Sequence, residues 1–351
     1  MRYQSHLLAV TLAATALQAQ SRVEAIMDRF SPSEPSVSVA VIDNGKFTMH
    51  TRGLANLEAG VKATSATNYR LASLTKQFTA AAILLLVQDG KLRLHDKIGQ
   101  FFPGCPEYVK SISVRNLLTH TGGLWDYEDM IPATQKTPFK DSDAVRFSFS
   151  HPTPAFDAGA KFQYSNTGYA ALSEIVRIVS GMPFRTFLKT RIFDPAGMKG
   201  TVAFEDGINT IANRAYGYTG TKRTDQDITS GVLGDGGIYS SISDMIRWNE
   251  ALEKAQLLSR DLLDDATRGS VMTRQYGYGW FVDPYGKHQR HWHAGETIGF
   301  RTAIQRFPDR KLTVIVLSNN GKLDARKLSL AIADLYLNDA PPLKVGRYKR
   351  D

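Results

Sequence analysis

A serine and a lysine three residues apart carry the strongest chemical signal in this sequence. Ser73 and Lys76 stand near the start of the stretch YRLASLTKQFTAAAILLLVQDG, residues 69–90. Residues three apart share one face of a helix, so the Lys76 amine can reach the Ser73 hydroxyl. A hydroxyl needs a nearby base before it attacks a carbonyl, and a desolvated amine can be that base. The pair predicts an activated serine nucleophile.

The residues behind this pair predict the helix that must carry it. Ala80 to Val87 are apolar without a polar face, which is typical of a buried helix, and Gly90 suits its C-terminal cap. The helix start also offers free backbone N–H groups, half of an oxyanion hole. The alternative is a capping serine beside a solvent-exposed lysine, because about one Ser-x-x-Lys is expected by chance at this length. The buried run favours the nucleophile.

A second candidate group is Tyr164-Ser165-Asn166, which precedes a predicted helix over residues 165–180. We expect Asn166 to be the N-cap of that helix. Tyr164 can carry a proton to a leaving group, and Asn166 can bind Lys76 or a substrate amide. A second Tyr-x-Asn, at residues 336–338, ends the last predicted helix and is interpreted as surface.

The third group is His293-Ala294-Gly295-Glu296, predicted to lie between two strands. Gly295 would let a substrate backbone approach the sheet edge, and the Glu296 N–H would complete the oxyanion hole. A rival of the same pattern, His120-Thr121-Gly122, ends a predicted helix in the middle of the chain.

A zinc site is a further alternative, because His291 and His293 face the same way on a strand and Glu296 follows them. No other clustered ligand accompanies them, so no metal and no other cofactor is expected. Cys105 is the single cysteine, which excludes an intrachain disulfide, and we interpret it as a packed residue of a turn.

Strand patterns at both chain ends enclose a helical middle. The turn Asp43-Asn44-Gly45-Lys46 predicts a hairpin. Strands are predicted at residues 36–42, 47–53, 276–282, 289–293, 300–307 and 312–318; helices at 141–149, 165–180, 183–193, 243–252 (capped by Ser243) and 322–337.

These patterns predict an α+β fold. An antiparallel sheet built from both chain ends is flanked by helices and faces a mostly helical second lobe, with the site in the cleft between them. We expect one domain over residues 21–340, with a sheet lobe at about 22–70 and 270–338 and a helical lobe at about 71–269.

Composition narrows the function classes. The chain has 351 residues, 42% hydrophobic and 22% charged, which is ordinary for a globular enzyme-sized protein. Its net charge of +9 is scattered, apart from a short basic tail at residues 341–351. No basic stripe alternates with aromatic residues, so nucleic-acid binding is not expected.

The N-terminus resembles a secretory signal. Residues 1–20 contain a basic start at Arg2, an apolar core from Leu7 to Leu17, and Ala19 as a small residue for cleavage. The apolar run is too short to span a bilayer comfortably, so no stable membrane anchor is expected after cleavage. The pattern predicts a periplasmic or secreted protein.

The order of the three groups resembles the serine β-lactamase and penicillin-binding protein superfamily. Its branch with class C β-lactamases, D-alanyl-D-alanine carboxypeptidases, D-aminopeptidases and related esterases is the most similar, and the resemblance covers about residues 23–337. Further sequence segments support the resemblance: Leu117–Leu124, Gly236–Ser240, His293–Phe300 and Ser318–Asn320.

The resemblance implies a two-lobed β-lactamase/transpeptidase-like fold and an acyl-enzyme mechanism. In it, Ser73 attacks a carbonyl while Lys76 and Tyr164 move its proton, and which of the two is the base stays open. Asn166 orients Lys76 and substrate, and the backbone N–H groups of Ser73 and Glu296 hold the oxyanion.

One departure from the pattern shifts the expected substrate. His293 stands where class C enzymes carry Lys, and Ala294 replaces a hydroxyl residue. A neutral histidine attracts a carboxylate less than lysine does, so we expect an ester, peptide or peptidoglycan-derived small molecule, cleaved by a carboxypeptidase- or esterase-type serine hydrolase. The alternatives are a β-lactamase, or a penicillin-recognising sensor that is acylated without turnover.

Overall fold

The computed structural model describes residues 18–270 and 272–337. Most of the predicted signal, residues 1–17, and the predicted basic tail lie outside the described residues. Residues 18–20, the end of that signal, belong to a helix, α1, whose described part covers residues 18–27. Within the described ranges, no helix is both long and apolar enough to cross a bilayer.

The remaining elements follow in chain order. The strands are β1 (Val37–Asp43), β2 (Lys46–Arg52), β3 (Leu54–Asn56), β4 (Val61–Lys62), β5 (Tyr69–Arg70), β6 (Val202–Ala203), β7 (Tyr218–Thr219), β8 (Lys222–Arg223), β9 (Ile238–Ser240), β10 (Phe281–Tyr285), β11 (His288–Thr297), β12 (Phe300–Phe307) and β13 (Leu312–Ser318). The helices are α2 (Lys76–Gln88), α3 (Val114–Leu118), α4 (Asp141–Phe149), α5 (Asn166–Ser180), α6 (Phe184–Leu188), α7 (Leu233–Gly236), α8 (Ile242–Glu253), α9 (Arg260–Ala266) and α10 (Ala325–Leu337).

Both chain ends build one antiparallel sheet, as predicted. Its six strands lie in the order β10-β11-β12-β13-β1-β2. The N-terminal strand β1 pairs with β2 on one side and with β13 on the other, where Val37 stands opposite Ser318. The α+β prediction is therefore confirmed.

Helices cover both faces of this sheet, which explains why β1 and β13 are buried at nearly every position. Along β1, Val37, Val39 and Val41 pack with α1 and α10. The intervening Ala40 and Ile42 pack into the larger core with α2. Because successive side chains of a strand point to opposite faces, a strand covered on both sides loses the apolar–polar alternation.

Helix α2 lies in the middle of the larger core, as its lack of a polar face predicts. Its residues from Lys76 to Leu86 are all buried, and α5 and α7 pack against it. The polar start of this helix is therefore enclosed by protein while its C-terminal end reaches the surface at Gln88.

A small second sheet, in the order β5-β9-β6, holds the chain just before α2. Tyr69 pairs with Ser240 and Arg70 with Tyr239. The next residue, Leu71, donates its N–H to the carbonyl of Ile238, 2.8 Å away. This sheet fixes the direction in which the chain enters the turn that contains Ser73.

The strand predictions were wrong at two places near the site. Residues 276–280 are not a strand, because Arg274, Gln275 and Gly279 have positive φ angles and the chain turns. Gly279 also lies so close to α2 that a Cβ there would meet the carbonyl oxygen of Lys76 at 2.8 Å. The strand predicted at 289–293 instead continues to Thr297, so the third group lies within β11 rather than in a loop.

Three helix starts also differ from the predictions. Ser165, not Asn166, caps α5, and its side chain accepts the N–H of Gly168. Ser241, not Ser243, caps α8 and accepts the N–H of Asp244. The final helix begins at Ala325 rather than at residue 322. In the first two cases the predicted and the observed capping residues are both good N-caps, so propensity does not choose between them.

Candidate active site

Ser73 lies in a single 3-10 turn, Ala72–Thr75, immediately before α2. Ala72 has a φ of 51°, which is uncommon for a residue with a side chain. The carbonyl of Leu71 accepts a hydrogen bond from Oγ1 of Thr302 on β12, 2.7 Å away. The small sheet on one side and the large sheet on the other therefore hold the strained turn that presents the Ser73 hydroxyl.

Lys76 is fully buried and its Nζ has three oxygen neighbours. Ser73 Oγ lies 3.2 Å away, Asn166 Oδ1 2.7 Å and the carbonyl oxygen of Asp235 3.0 Å. The amide and carbonyl oxygens only accept, so two N–H groups are committed to them. The third position faces Ser73. In the amine form it is a lone pair directed at the hydroxyl proton.

Asn166 reaches Lys76 because it is the first residue of α5. Its own backbone N–H is held by Oδ2 of Asp126. Burial raises the pKa of the Asp126 carboxyl, and the hydrogen bonds from the backbone N–H groups of Asn166 and Glu128 oppose that rise. A buried acceptor at this helix N-terminus fixes the place from which the Asn166 side chain projects.

Tyr164 lies over the same amine. Lys76 Nζ is 4.9 Å from the centre of the Tyr164 ring. The Tyr164 hydroxyl is buried and has no hydrogen-bond partner among the described residues. A buried phenol without a protein partner is free to bond with substrate.

His293 is placed behind the site rather than at its surface. Its Nδ1 lies 2.7 Å from the carbonyl oxygen of Ala294, and its Nε2 lies 3.0 Å from the hydroxyl of Tyr276. Because a carbonyl only accepts, Nδ1 carries the proton and Nε2 accepts from Tyr276. Burial, reinforced by the charge of Lys76, lowers the pKa of His293 to about 3. The ring is therefore neutral.

Gly295 is required by packing. A Cβ on it would lie 2.2 Å from the carbonyl oxygen of Leu71 and 2.3 Å from Oγ1 of Thr302. The absent side chain thus makes room for the turn that contains Ser73. The predicted contact of Gly295 with substrate stays a prediction.

The outer edge of β11 is open beside this turn. β10 pairs with β11 only as far as Trp292, and among the described residues no strand pairs with 293–297 on that side. The Glu296 side chain is largely exposed and lies 3.8 Å from the Arg301 guanidinium. The oxyanion role of the Glu296 N–H also stays a prediction.

Sequence reasoning missed a buried polar layer beneath Lys76. Both of its members are buried: Tyr127 lies in the loop before residue 128, and Asp235 lies in α7. The hydroxyl of Tyr127 donates to Oδ2 of Asp235, 2.9 Å away. Burial raises the pKa of Asp235 to about 8, although the Lys76 charge acts to lower it. Both residues lie close to the sequence segments 117–124 and 236–240 that carry the resemblance. Their contact forms only in the folded protein, so the sequence alone does not indicate it.

His120, by sequence a rival of the third group, lies within the site. Its ring packs against Tyr164 with 4.2 Å between the ring centres. Its Nδ1 accepts the N–H of Ser165, 3.1 Å away.

The zinc alternative finds no support in the geometry. Both nitrogens of His293 are already hydrogen-bonded, and Arg306 stands opposite His291 on β12. Within residues 18–270 and 272–337, no group of three or more His, Cys, Asp or Glu side chains could hold a metal ion.

The arrangement combines a hydroxyl, an amine and a phenol at one place, enclosed by residues from both lobes. Such a set can transfer a proton from a nucleophile to a leaving group.

Comparisons with known proteins agree with this geometry. The model of the Beta-lactamase family matches residues 19–337. A penicillin-binding protein of Bacillus subtilis is 31% identical over 274 residues, 72% of this chain and 60% of its own length. A D-aminopeptidase of Brucella canis is 27% identical over 325 residues, 88% of this chain and 61% of its own length. The chain thus spans about three fifths of these relatives.

Solved structures share the fold. D-amino acid amidase from Ochrobactrum anthropi, in complex with L-phenylalanine, superposes with a TM-score of 0.78 at 26% identity, over 92% of this chain and 98% of the amidase. An octameric penicillin-binding protein homologue from Pyrococcus abyssi superposes with a TM-score of 0.79 at 24% identity, over 93% and 78% of the two chains.

Proposed function

The chain belongs to the Beta-lactamase family, and from this premise we propose that it is a serine hydrolase that forms an acyl-enzyme on Ser73. Its substrates are amides, peptides or esters of D-amino acids. The observation that carries the proposal is the set of contacts at Lys76 Nζ, with Ser73 Oγ at 3.2 Å and Asn166 Oδ1 at 2.7 Å. These contacts orient one position of the amine at the hydroxyl.

In the acylation step, Ser73 Oγ bonds to the substrate carbonyl carbon and its proton passes to the Lys76 amine. The Asn166 side chain and the Asp235 carbonyl accept hydrogen bonds from the two N–H groups of the Lys76 amine, so its lone pair points towards the Ser73 hydroxyl. Backbone N–H groups of Ser73 and Glu296 stabilise the developing oxyanion.

Collapse of the tetrahedral species then breaks the bond to the leaving group. The leaving amine or alcohol takes a proton from the Tyr164 hydroxyl, and the proton held by Lys76 restores that hydroxyl. Water then attacks the ester carbonyl while its proton passes to the Lys76 amine. The bond between the acyl carbon and Ser73 Oγ breaks, Oγ takes that proton back, and the acid is released. The unpartnered Tyr164 hydroxyl supports this role, because no protein acceptor competes with the leaving group.

The substrate class follows from the third group and from the relatives. A neutral His293, bonded to Tyr276, offers no positive charge to the carboxylate of a β-lactam. A D-aminopeptidase and a D-amino acid amidase are among the similar proteins. Substrates recognised without a carboxylate clamp at this position are therefore favoured.

The test compares Ser73→Ala with wild type on D-phenylalanine amide, D-alanyl p-nitroanilide, p-nitrophenyl acetate and nitrocefin. Ser73→Ala is expected to abolish turnover of every substrate that wild type cleaves, while the thermal unfolding midpoint is retained. Ser150→Ala is the matched control, since Ser150 is an exposed serine at the end of α4. Turnover by Ser73→Ala at the wild-type rate would reject the proposal.

A penicillin-recognising sensor is the alternative from another class, and a penicillin-binding protein is among the relatives. Mass spectrometry separates the two. A stable penicilloyl adduct at Ser73 without turnover of any D-amino-acid substrate would favour the sensor. Turnover with only a transient adduct favours the hydrolase.

Export to the periplasm or beyond is part of the proposal, supported by the basic start and apolar core within residues 1–17. Ala19, in α1, is buried in the core that α1 forms with β1 and α10. Identification of the mature N-terminus in fractionated cells tests export, and a full-length chain in the cytoplasm would contradict it.

A further inference from the structure

His120 has an unusual backbone for a residue with a large side chain. It follows α3 with a φ of 56°, in the left-handed region. Only 2% of its surface is exposed. Left-handed backbone is uncommon outside glycine, and residues held in it are concentrated at functional sites.

The contacts that hold it lie on both sides of Tyr164. The His120 carbonyl oxygen accepts the N–H of Gln163, 2.9 Å away. The His120 Nδ1 accepts the N–H of Ser165, 3.1 Å away. A single residue therefore binds the backbone immediately before and immediately after the tyrosine.

The imidazole also limits where the phenol ring can go. The two rings are 4.2 Å apart between centres and inclined by 31°. Tyr276 lies against His120 at 4.6 Å and Tyr169 at 5.1 Å. The His120 ring is thus wedged among aromatic rings, and Tyr164 is the one of them whose hydroxyl has no partner.

The protonation state of His120 follows from these contacts. Because Nδ1 accepts a backbone N–H, the proton lies on Nε2. Burial, with the nearby Lys76 charge, keeps the pKa of His120 well below its usual value. His120 is therefore a neutral support and does not compete with Lys76 as a base.

We infer that His120 is a positioning residue that sets the Tyr164 phenol against Lys76. The inference depends on the proposed function, in which Tyr164 delivers the proton to the leaving group. It adds a residue that touches neither substrate nor nucleophile and acts only through Tyr164.

A double-mutant cycle tests this directly. The substitutions are His120→Leu and Tyr164→Phe, alone and together, with kcat and KM measured on the best substrate of the panel. His120→Leu removes the acceptor at Nδ1 and the stacked ring. We expect kcat to fall about 10- to 100-fold with KM nearly unchanged, because a small displacement of a proton-transfer group has that effect. In the Tyr164→Phe background, the same substitution should change kcat less than about threefold.

A second variant keeps the test valid if His120→Leu folds poorly. Asparagine tolerates left-handed backbone and offers Oδ1 where the histidine has Nδ1, so His120→Asn should recover part of the activity lost in His120→Leu. This recovery should disappear when Tyr164→Phe is also present. His50→Leu is the matched control, since His50 is on β2 at the opposite edge of the sheet.

The outcomes separate the two claims. Suppose that Tyr164→Phe lowers kcat and that His120→Leu lowers kcat by the same factor in both backgrounds. The positioning role is then rejected while the proposed function stands. The same holds if His120→Leu changes only KM. If Tyr164→Phe leaves kcat unchanged although Ser73→Ala is inactive, the proton-transfer role of Tyr164 fails, and the inference about His120 fails with it.

Discussion

The side-chain oxygen of Asn166 lies 2.7 Å from the amine nitrogen of Lys76, although the two residues are 90 positions apart in the chain. The contact joins the first residue of α5 to the first residue of α2. It brings two helix starts together, so both the amine and the groups around it are held by elements that are themselves buried. Substitution of Asn166 is therefore the most direct test of how the Lys76 amine is positioned.

Asn166→Ala should lower kcat about 10- to 100-fold, because the Lys76 amine loses a fixed acceptor and rotates away from Ser73. Stability should change little beyond the lost hydrogen bond, since Ser165 and not Asn166 caps the helix. Steady-state kinetics and thermal unfolding measure the two effects. Asn56→Ala, on β3, is the control. Unchanged kcat in Asn166→Ala would show that Lys76 does not need this partner.

Asp235 should make the protein less stable as the pH rises. Its pKa of about 8 is above the ordinary value of 3.8, so the folded protein binds a proton that the unfolded chain releases between these values. The stabilisation is fully present below about pH 4 and is lost as the pH rises towards about 8. Urea unfolding of wild type and Asp235→Asn across this range should show a flatter dependence for the variant.

The control for that measurement is Asp264→Asn, which removes an exposed carboxyl of α9. It should keep the wild-type dependence on pH. Parallel curves for wild type and Asp235→Asn would mean that Asp235 does not hold a proton in the folded protein.

His293 should act in the opposite direction. Its pKa of about 3 lies below the ordinary 6.5, so the unfolded chain takes up a proton that the folded protein excludes. Stability is therefore present above about pH 6.5 and is lost as the pH falls towards about 3, on the order of a few kcal/mol in total.

The variant His293→Gln should be less stable than wild type at neutral pH, by about 1 kcal/mol for the altered hydrogen bonds, but less sensitive to acid. Guanidinium unfolding at a series of pH values measures both effects. His95→Gln, an exposed histidine, is the control. Equal acid sensitivity of wild type and His293→Gln would contradict a neutral, buried His293.

Gly295→Ala should damage both stability and catalysis. The added Cβ would meet the Leu71 carbonyl oxygen at 2.2 Å, and the turn before Ser73 would have to move. Overpacking of this kind typically costs about 1–3 kcal/mol, and kcat should fall with the displaced nucleophile.

Gly168→Ala is the matched control for that change. Gly168 is inside α5, where a Cβ would make only ordinary contacts, at 3.5 Å or more. It should be neutral or slightly stabilising, because alanine is the better helix former. If Gly295→Ala were tolerated as well as Gly168→Ala, the close approach of β11 to the Leu71 carbonyl would be wrong.

Much of this architecture could be predicted from local sequence signals. The hairpin turn at Asp43–Lys46 and the apolar run of α2 depend on neighbouring residues, so the sequence contains enough information for both. The Ser73–Lys76 contact depends on a spacing of three and was likewise predictable. Local rules succeed where the interacting groups are within one turn of each other.

The residues that sequence reasoning missed interact across long separations. Tyr127 and Asp235 are in contact beneath Lys76 although they are 108 positions apart in the chain, so no local pattern indicates the contact. The strand wrongly predicted at 276–280 fails for a similar reason. Its aromatic residues suggest a strand. The chain instead turns at Gly279, which has a positive φ and lies too close to α2 for a side chain.

The pairing of β1 with β13 has a consequence for synthesis of the protein. Residues 37–43 can pair early with β2, but their second partner, residues 312–318, must first leave the ribosome. Thr302, which donates to the Leu71 carbonyl, and Gly295, which leaves room for that carbonyl, are also made late. A nascent chain therefore carries Ser73 for most of its translation without a formed active site, and pairings at such long sequence separation form slowly. The site around Ser73 is therefore completed only after β12 and β13 have been made.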